Sequence, residues 1–315
     1  MTRSRLVASI ACAGIVTGVA CSDSSGPGGP AWQALIGRAW NVAATSEAYV
    51  CKRVQATADW NITGFRATLP PGVYKVIVTT SSNTTTGDFN CTINEITTET
   101  ALIYFAGAGT QEFVFPNGAG LHVTTGQYVL LVLHLVNPTG SALSGTATVE
   151  AYNGPASGIL SEAEMMLAGD ANFSLAAMTN NLTATGGCTF AQAETVFAII
   201  PSMKVYGISQ LVEKRRNAAT TIHNGAWDDS QHLFVVPSPL ATFIAGDTLQ
   251  VTCTYNNTTN ATINFGPLIV DEWCFTGVYR YPVTPGGVGI TGCVSFTAGP
   301  TAMAVLGGRE PRPFD

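Results

Sequence analysis

Apolar runs of strand length, each closed off by turn signals, recur along the whole chain and restrict it to a fold built from sheets. Val73–Thr80 (VYKVIVTT), Tyr128–Val136 (YVLLVLHLV), Thr195–Pro201 (TVFAIIP) and Thr248–Tyr255 (TLQVTCTY) are rich in β-branched residues and carry no helical period. Leu69-Pro70-Pro71-Gly72, Pro116-Asn117-Gly118 and Ala245-Gly246-Asp247 punctuate them. Tyr128–Val136 is apolar on both alternating sets of positions, which places it at the centre of a sheet covered on both faces. One stretch, Ser161–Leu167, also allows a helix, with Ser161 and Glu164 as a capping box, but its length does not favour helix over strand. The expected class is all-β, as packed antiparallel sheets.

The chain has 315 residues, and domains usually take ~100–200, so two domains are expected. Asn153-Gly154-Pro155-Ala156-Ser157-Gly158 is the natural divide. It separates a first β-sandwich over 33–152 from a second over 163–300, with a linker at 153–162 and a tail at 301–315. Apolar residues make up 46% of the chain, enough for a core, whereas charged residues make up 11%, against ~25% in an average soluble domain. The net charge of −6 leaves no basic patch for a phosphate backbone, so nucleic acid is excluded as a partner.

The first twenty residues read as an export signal: Arg3 and Arg5 precede an apolar run, Leu6 to Ala20, shorter than the ~18 residues of a membrane span. Thr17-Gly18-Val19-Ala20-Cys21 resembles a bacterial lipobox, with Cys21 as the acylated N-terminus and 21–32 as a flexible tether. Gly18 stands where a Leu is usual, and ordinary cleavage nearby is the other reading. Membrane association is expected through that lipid alone, with the body of the protein exported. Beyond Cys12 and Cys21 six cysteines remain (Cys51, Cys91, Cys188, Cys253, Cys274 and Cys293), an even set that points to disulfides in an exported chain. None forms a CxxC and no His stands at zinc-finger spacing from them, which argues against zinc.

Local catalytic motifs are missing. There is no HExxH, no GxSxG and no Walker loop. The acidic pairs Asp228-Asp229 and Asp271-Glu272 are adjacent, and on a strand adjacent side chains point to opposite faces, so neither is a ready carboxylate dyad.

Several segments taken together carry more. Glu47-Ala48-Tyr49-Val50-Cys51, Ile62-Thr63-Gly64-Phe65, Leu133-His134-Leu135-Val136-Asn137, Leu143-Ser144-Gly145, Gly246-Asp247-Thr248-Leu249 and Cys253-Thr254-Tyr255-Asn256-Asn257 are followed by Asn264-Phe265-Gly266, Asp271-Glu272-Trp273-Cys274-Phe275 and Tyr279-Arg280-Tyr281-Pro282. In order and spacing, over roughly residues 45 to 298, they resemble the copper type II ascorbate-dependent monooxygenases, the family of peptidylglycine α-hydroxylating monooxygenase and dopamine β-monooxygenase. The resemblance implies two tandem antiparallel, jelly-roll-like β-sandwiches, and disulfides Cys51–Cys91, Cys188–Cys293 and Cys253–Cys274.

The family's copper ligands do not carry over. At its first copper, a His-His pair after a Pro-Gly turn is Tyr74-Lys75 here, and only the later His, His134, remains. At its second copper, a His-Met-His segment reads Ser202-Met203-Lys204, and the Met of Glu-Met-Cys is Trp273. Copper cycling needs imidazole and thioether donors, and residues i and i+2 of a strand share the face that would present them. Ser202 and Lys204 hold that face with a weak ligand and a cation, Trp273 has no lone pair to offer, and Tyr74 would have to ionise from ~10. No metal and no cofactor is therefore expected.

Two readings stand for most of these residues. His134 is either a residual ligand or a satisfied core histidine; His122, His223 and His232 match no ligand position and are read as surface or packing residues, and Trp227 and Gln231 as structural. Lys75 and Lys204 either replace the lost metal charge or face water in open clefts. Trp273 is either a platform for a protein or small-molecule ligand in the domain cleft or a plug in the vacated cavity. The function expected is a non-catalytic binding or structural protein; the alternative is a copper oxidoreductase whose ligand set includes His134.

Overall fold

The computed structural model describes residues 31–284, 290 and 292–295. The export signal, Cys21, nearly all of the tether and the 301–315 tail lie outside the described residues. The described chain is all-β, with two short 3-10 turns and no α-helix.

Sixteen strands make the frame. The first half supplies β1 (Ala31–Val42), β2 (Ser46–Gln55), β3 (Trp60–Thr68), β4 (Val73–Ser81), β5 (Ala101–Gly107), β6 (Ala119–Val123), β7 (Tyr128–Asn137) and β8 (Leu143–Asn153). The second supplies β9 (Glu164–Asp170), β10 (Thr179–Thr189), β11 (Glu194–Ser202), β12 (Gly207–Arg215), β13 (Ala219–Ala226), β14 (Ala241–Phe243), β15 (Thr248–Asn257) and β16 (Cys274–Tyr281). In the first half the sheets run β1-β8-β3-β6 and β5-β4-β7-β2; in the second they run β9-β16-β11-β14 and β13-β12-β15-β10. Moving eight strands along the chain converts one half into the other. Each has the two four-stranded sheets of an eight-stranded jelly roll.

The repeat extends to turn chemistry. The buried Asn137 and Asn257 end equivalent strands, and the side-chain amide of each donates to backbone carbonyls around its turn. Asn137 reaches Ala43 and Ser141, both at 2.8 Å; Asn257 reaches Leu175 at 2.9 Å and Ala261 at 2.8 Å. The backbone N–H groups of Thr139 and Thr259 donate back to the two Oδ1 atoms, both at 3.0 Å. Gly126 and Gly246 open the two strands at φ 88° and 87°, a region that a side chain would strain.

The halves are not separate bodies on a tether. β5 of the first pairs with β9 of the second at Leu102 and Met165, and the two neighbouring sheets become one sheet across the divide. Burial shows the consequence. Every residue of β4 is buried, and β7 is buried at eight of ten positions, because one face looks into its sandwich and the other is covered by the second half. β15, the counterpart of β7, alternates buried and half-buried along its whole length. Its outer face is open.

Several boundaries move. Ala31 and Trp32, assigned to the tether, already belong to β1 and pair with β8. The linker starts too early, since Asn153 ends β8, and it closes on Ser161–Glu162, which pairs in parallel with β6. The capping box at Ser161 and Glu164 does not form: Glu164 heads a strand and accepts from Arg280, with Nη2 at 2.7 Å. The disulfides are Cys51–Cys91, Cys188–Cys293 and Cys253–Cys274, each within one half.

Replacing the amide of Asn257 strands three carbonyls and one N–H inside the protein. Asn257→Ala is expected to lower the unfolding free energy by about 2–4 kcal/mol, read as a shift of the urea midpoint; a shift too small to resolve would contradict the turn's role.

Candidate functional site

The six positions at which the copper family places its ligands come together at the junction of the halves. Their exposures are 9% for Tyr74, 1% for Lys75, 2% for His134, 0% for Ser202 and Lys204, and 3% for Trp273. The open-cleft reading of the two lysines is thereby corrected, and so is the reading of Trp273 as an accessible platform. The cleft is filled by side chains. A cavity of about 740 Å³ opens elsewhere, beside β1 and β2 near Arg38, Asn41 and Ser144, and none of the six lines it.

A bulge lets consecutive residues of β4 reach one site. Val73 pairs with Leu135 and Lys75 with His134, so Tyr74 is an extra residue in the ladder. The Tyr74 hydroxyl donates to Asp229 at 2.6 Å, and its ring meets the His134 imidazole edge-on at 5.2 Å between centroids. Lys75 Nζ donates across the junction to Ser202 Oγ at 3.2 Å and the Met203 carbonyl at 3.1 Å. Four rings surround the same nitrogen: Tyr74 at 4.7 Å, Trp273 at 5.5 Å, Trp227 at 5.6 Å and Phe105 at 5.9 Å. Lys75 thus sits in an aromatic cage with two oxygen acceptors, a combination that stabilises a cation away from water.

Lys204 also lies against Trp273. Its Nζ donates to the carbonyls of Leu268 at 2.6 Å and Gly266 at 2.8 Å, and lies 4.6 Å from the Trp273 ring centre. The indole N–H donates to the Gly266 carbonyl at 2.7 Å, which fixes the ring within reach of both amines. Glu272 lies beneath, accepting from the backbone N–H of Trp273 at 2.7 Å, of Tyr206 at 2.9 Å, and of Lys204. The acidic pairs are not dyads: Asp229 serves Tyr74, and Asp271 accepts from Leu268 N–H at 3.0 Å.

His134 is a satisfied core histidine on one nitrogen only. Nε2 lies 2.5 Å from Glu47, whose carboxylate also accepts from Ile269 N–H of the second half at 2.9 Å. The imidazole stacks on Tyr49 at 4.3 Å between centroids, and Nδ1 has no hydrogen-bond partner. Burial pushes the imidazole down to about 4, against the opposing bond to Glu47, so it is neutral with its proton on Nε2. His232 packs against Trp227, and Trp227 Nε1 donates to the Lys204 carbonyl at 2.9 Å. His122 stands outside, 3.5 Å from Glu162; His223 pairs with Val212 in the second half's outer sheet, and Gln231 is exposed.

Copper does not fit this set. The six positions offer one unpartnered imidazole nitrogen, with a second on the neighbouring His232, among a phenol bound to Asp229, two amines, a hydroxyl accepting from one of them, and an indole. Among the described residues no group of three His, Cys, Asp or Glu side chains converges on a common point. The sequence reading named the six positions but missed Glu47, Asp229 and Glu272 as their partners. The available signal was a carboxylate at the border of an apolar run, Glu47 before Ala48–Val50 and Asp271-Glu272 after Leu268–Val270.

No family profile matches the chain, and no curated protein does. Among solved structures it is similar to a structure from the Sulfolobus turreted icosahedral virus, at TM-score 0.24 and 9% identity, over 78% of this chain and 55% of that one. A triple jelly roll structure from an archaeal virus gives 0.23 and 12%, over 82% and 61%. Dimeric latent PorU from Porphyromonas gingivalis gives 0.17 and 14%, over 76% and 25%. The chain spans 55% and 61% of the two viral chains.

Burial lowers the Lys75 amine to about 7 and Lys204 reinforces this, while Asp229 and Glu272 oppose it. Burial also lowers Lys204 and raises Glu272, each offset in part by the other. Below about pH 7 Lys75 is charged in both states and the cost of enclosing it is fully present. Between that value and 10.5 the unfolded chain binds more protons at this residue than the folded one, so its contribution to stability rises with pH. The unfolding free energy of the wild type minus that of Lys75→Met is expected to grow over this range by up to about 1.4 kcal/mol per pH unit. Denaturant melts at a series of pH values measure it, and a difference independent of pH would contradict an enclosed amine.

Proposed function

We propose that this chain is an exported, non-catalytic binding or structural protein on the two-sandwich scaffold of the copper type II ascorbate-dependent monooxygenases, held to a membrane through acylated Cys21. One observation carries the reading: Lys75 and Lys204 occupy ligand positions with their ammonium groups enclosed and bonded to protein oxygens. Where they are protonated, these two amines supply the charge that the surrounding acids require, in place of two metal ions, and they repel any further cation. The chemistry goes and the architecture stays.

The compartment has separate support. Three disulfides fit an oxidising, extracellular or periplasmic setting. Among the described residues no helix is long and apolar enough to cross a membrane.

A second reading has one observation in its favour, the unpartnered Nδ1 of His134. On it, the protein is an oxidoreductase whose copper ligands include His134. Elemental analysis after copper loading and desalting separates the two, together with an assay for ascorbate- and oxygen-dependent hydroxylation. The expected result is no stoichiometric copper and no turnover, in the wild type and in His134→Ala alike. One or more tightly held copper ions per chain, lost in His134→Ala, would overturn the non-catalytic reading.

A further inference from the structure

The repeat of strand order leaves two sheet edges without the neighbours their counterparts have. Within the chain, β5 of the first sandwich is met by β9 of the second. Among the described residues, the strand equivalent to β5 in the second sandwich, β13, pairs with β12 and no other strand. Among the same residues, the strand equivalent to β9 in the first sandwich, β1, pairs only with β8. One end of the molecule therefore presents the edge that its own junction accepts, and the other end presents the edge that its junction offers.

We infer that the protein assembles head to tail, β13 of one copy meeting β1 of the next in the arrangement that β5 and β9 adopt within the chain. The outer sheets would then join across copies just as the inner sheets join across the halves.

Three observations beyond the strand order point to a second copy as the occupant. First, neither edge carries a proline, a lysine or an acid, although each has one bulge, between Ala34 and Ile36 of β1 and between Thr221 and His223 of β13. β13 reads Ala219-Thr220-Thr221-Ile222-His223-Asn224-Gly225-Ala226, with no proline, lysine or acid. The one charged residue of β1, Arg38, turns its Nη1 inward to the carbonyls of Cys51 and Phe89. Second, the face beside β13 matches in register the face that the junction covers. The covered row is Tyr49–His134–Lys75, and the corresponding row of the second half is Thr183–Thr254–Ser209. His134 and Thr254 occupy the same place on β7 and β15, yet where His134 is buried the second row is exposed at Thr183, half-buried at Thr254 and Ser209, and uncharged. Third, the two ends present different edges, β13 and β1, so a contact between them is heterologous; such contacts close into rings or run on as filaments rather than stopping at a two-fold dimer. The inference uses the outer sheets and does not rest on the fate of the copper positions.

The test is sedimentation velocity on the full chain in mild detergent over a series of concentrations. Two variants each block one edge at exposed positions: Thr220→Lys with Asn224→Lys on β13, and Ala34→Lys with Ala39→Lys on β1. Circular dichroism checks that both stay folded. The wild type should give a ladder of species that grows with concentration. Each blocked variant alone should be monomeric. An equal mixture of the two should give dimers and nothing larger, since one good edge of each kind remains. A wild type that is monomeric throughout, or that stops at a dimer, would overturn the inference; so would variants that assemble as the wild type does.

Discussion

An ammonium group withdrawn from water costs several kcal/mol unless the protein supplies what water supplied, and the junction of this molecule is arranged around meeting that cost twice. Each hydrogen bond to a charged group returns about 1.5–3 kcal/mol, and a desolvated cation over an aromatic face about 2. Lys75 has two oxygen acceptors and four surrounding rings; Lys204 has two carbonyls and one ring. The acceptors of Lys75 belong to the second half, although the lysine itself stands on the first. The bonds that satisfy it therefore also hold the halves together.

Other contacts follow the same course. Glu47 of the first half fixes His134 and receives Ile269 N–H from the second. Tyr49 donates to the Pro267 carbonyl at 2.6 Å, and Tyr279 returns a bond to Ile103 at 2.8 Å. Around these polar links the apolar core of the first sandwich continues into Phe197, Ile200, Phe275 and Tyr279. Separating the halves would expose this apolar surface, leave Lys75, Tyr74, Tyr49 and Tyr279 without their acceptors, and take the Ile269 N–H from Glu47. A hinged cleft, of the kind that admits a substrate between domains, does not suit such a boundary.

Much of the fold is legible in the sequence, for identifiable reasons. Strand-length runs and turn signals are local, so the all-β class and the positions of β4, β7, β11 and β15 can be read directly. The two-sided apolar character of Tyr128–Val136 correctly indicates a strand covered on both faces. What covers it is a long-range fact: Lys75 beside it meets Ser202 and Met203, and Glu47, which holds His134, meets Ile269, and no local pattern announces that. The bulge at Tyr74 is hidden for the same reason, since alternation alone sends Tyr74 and Lys75 to opposite faces. The internal repeat leaves only a faint trace, in Gly126 with Asn137 and Gly246 with Asn257, because conformation is kept while side chains have diverged. The surroundings of Tyr74, Lys75, His134, Ser202, Lys204 and Trp273 are half legible: the sequence names the side chains, but whether a lysine faces water or is enclosed depends on how close the halves come.

The chain has four lysines, Lys52, Lys75, Lys204 and Lys214, which makes the central claim directly measurable. Reductive methylation of the native protein at neutral pH, followed by peptide mass spectrometry, reads the accessibility of each amine. The enclosed-cation account predicts rapid dimethylation of Lys52 and Lys214, with Lys75 and Lys204 unmodified until the protein is denatured. Modification of Lys75 and Lys204 at the rate of the other two, in protein that remains folded, would contradict it.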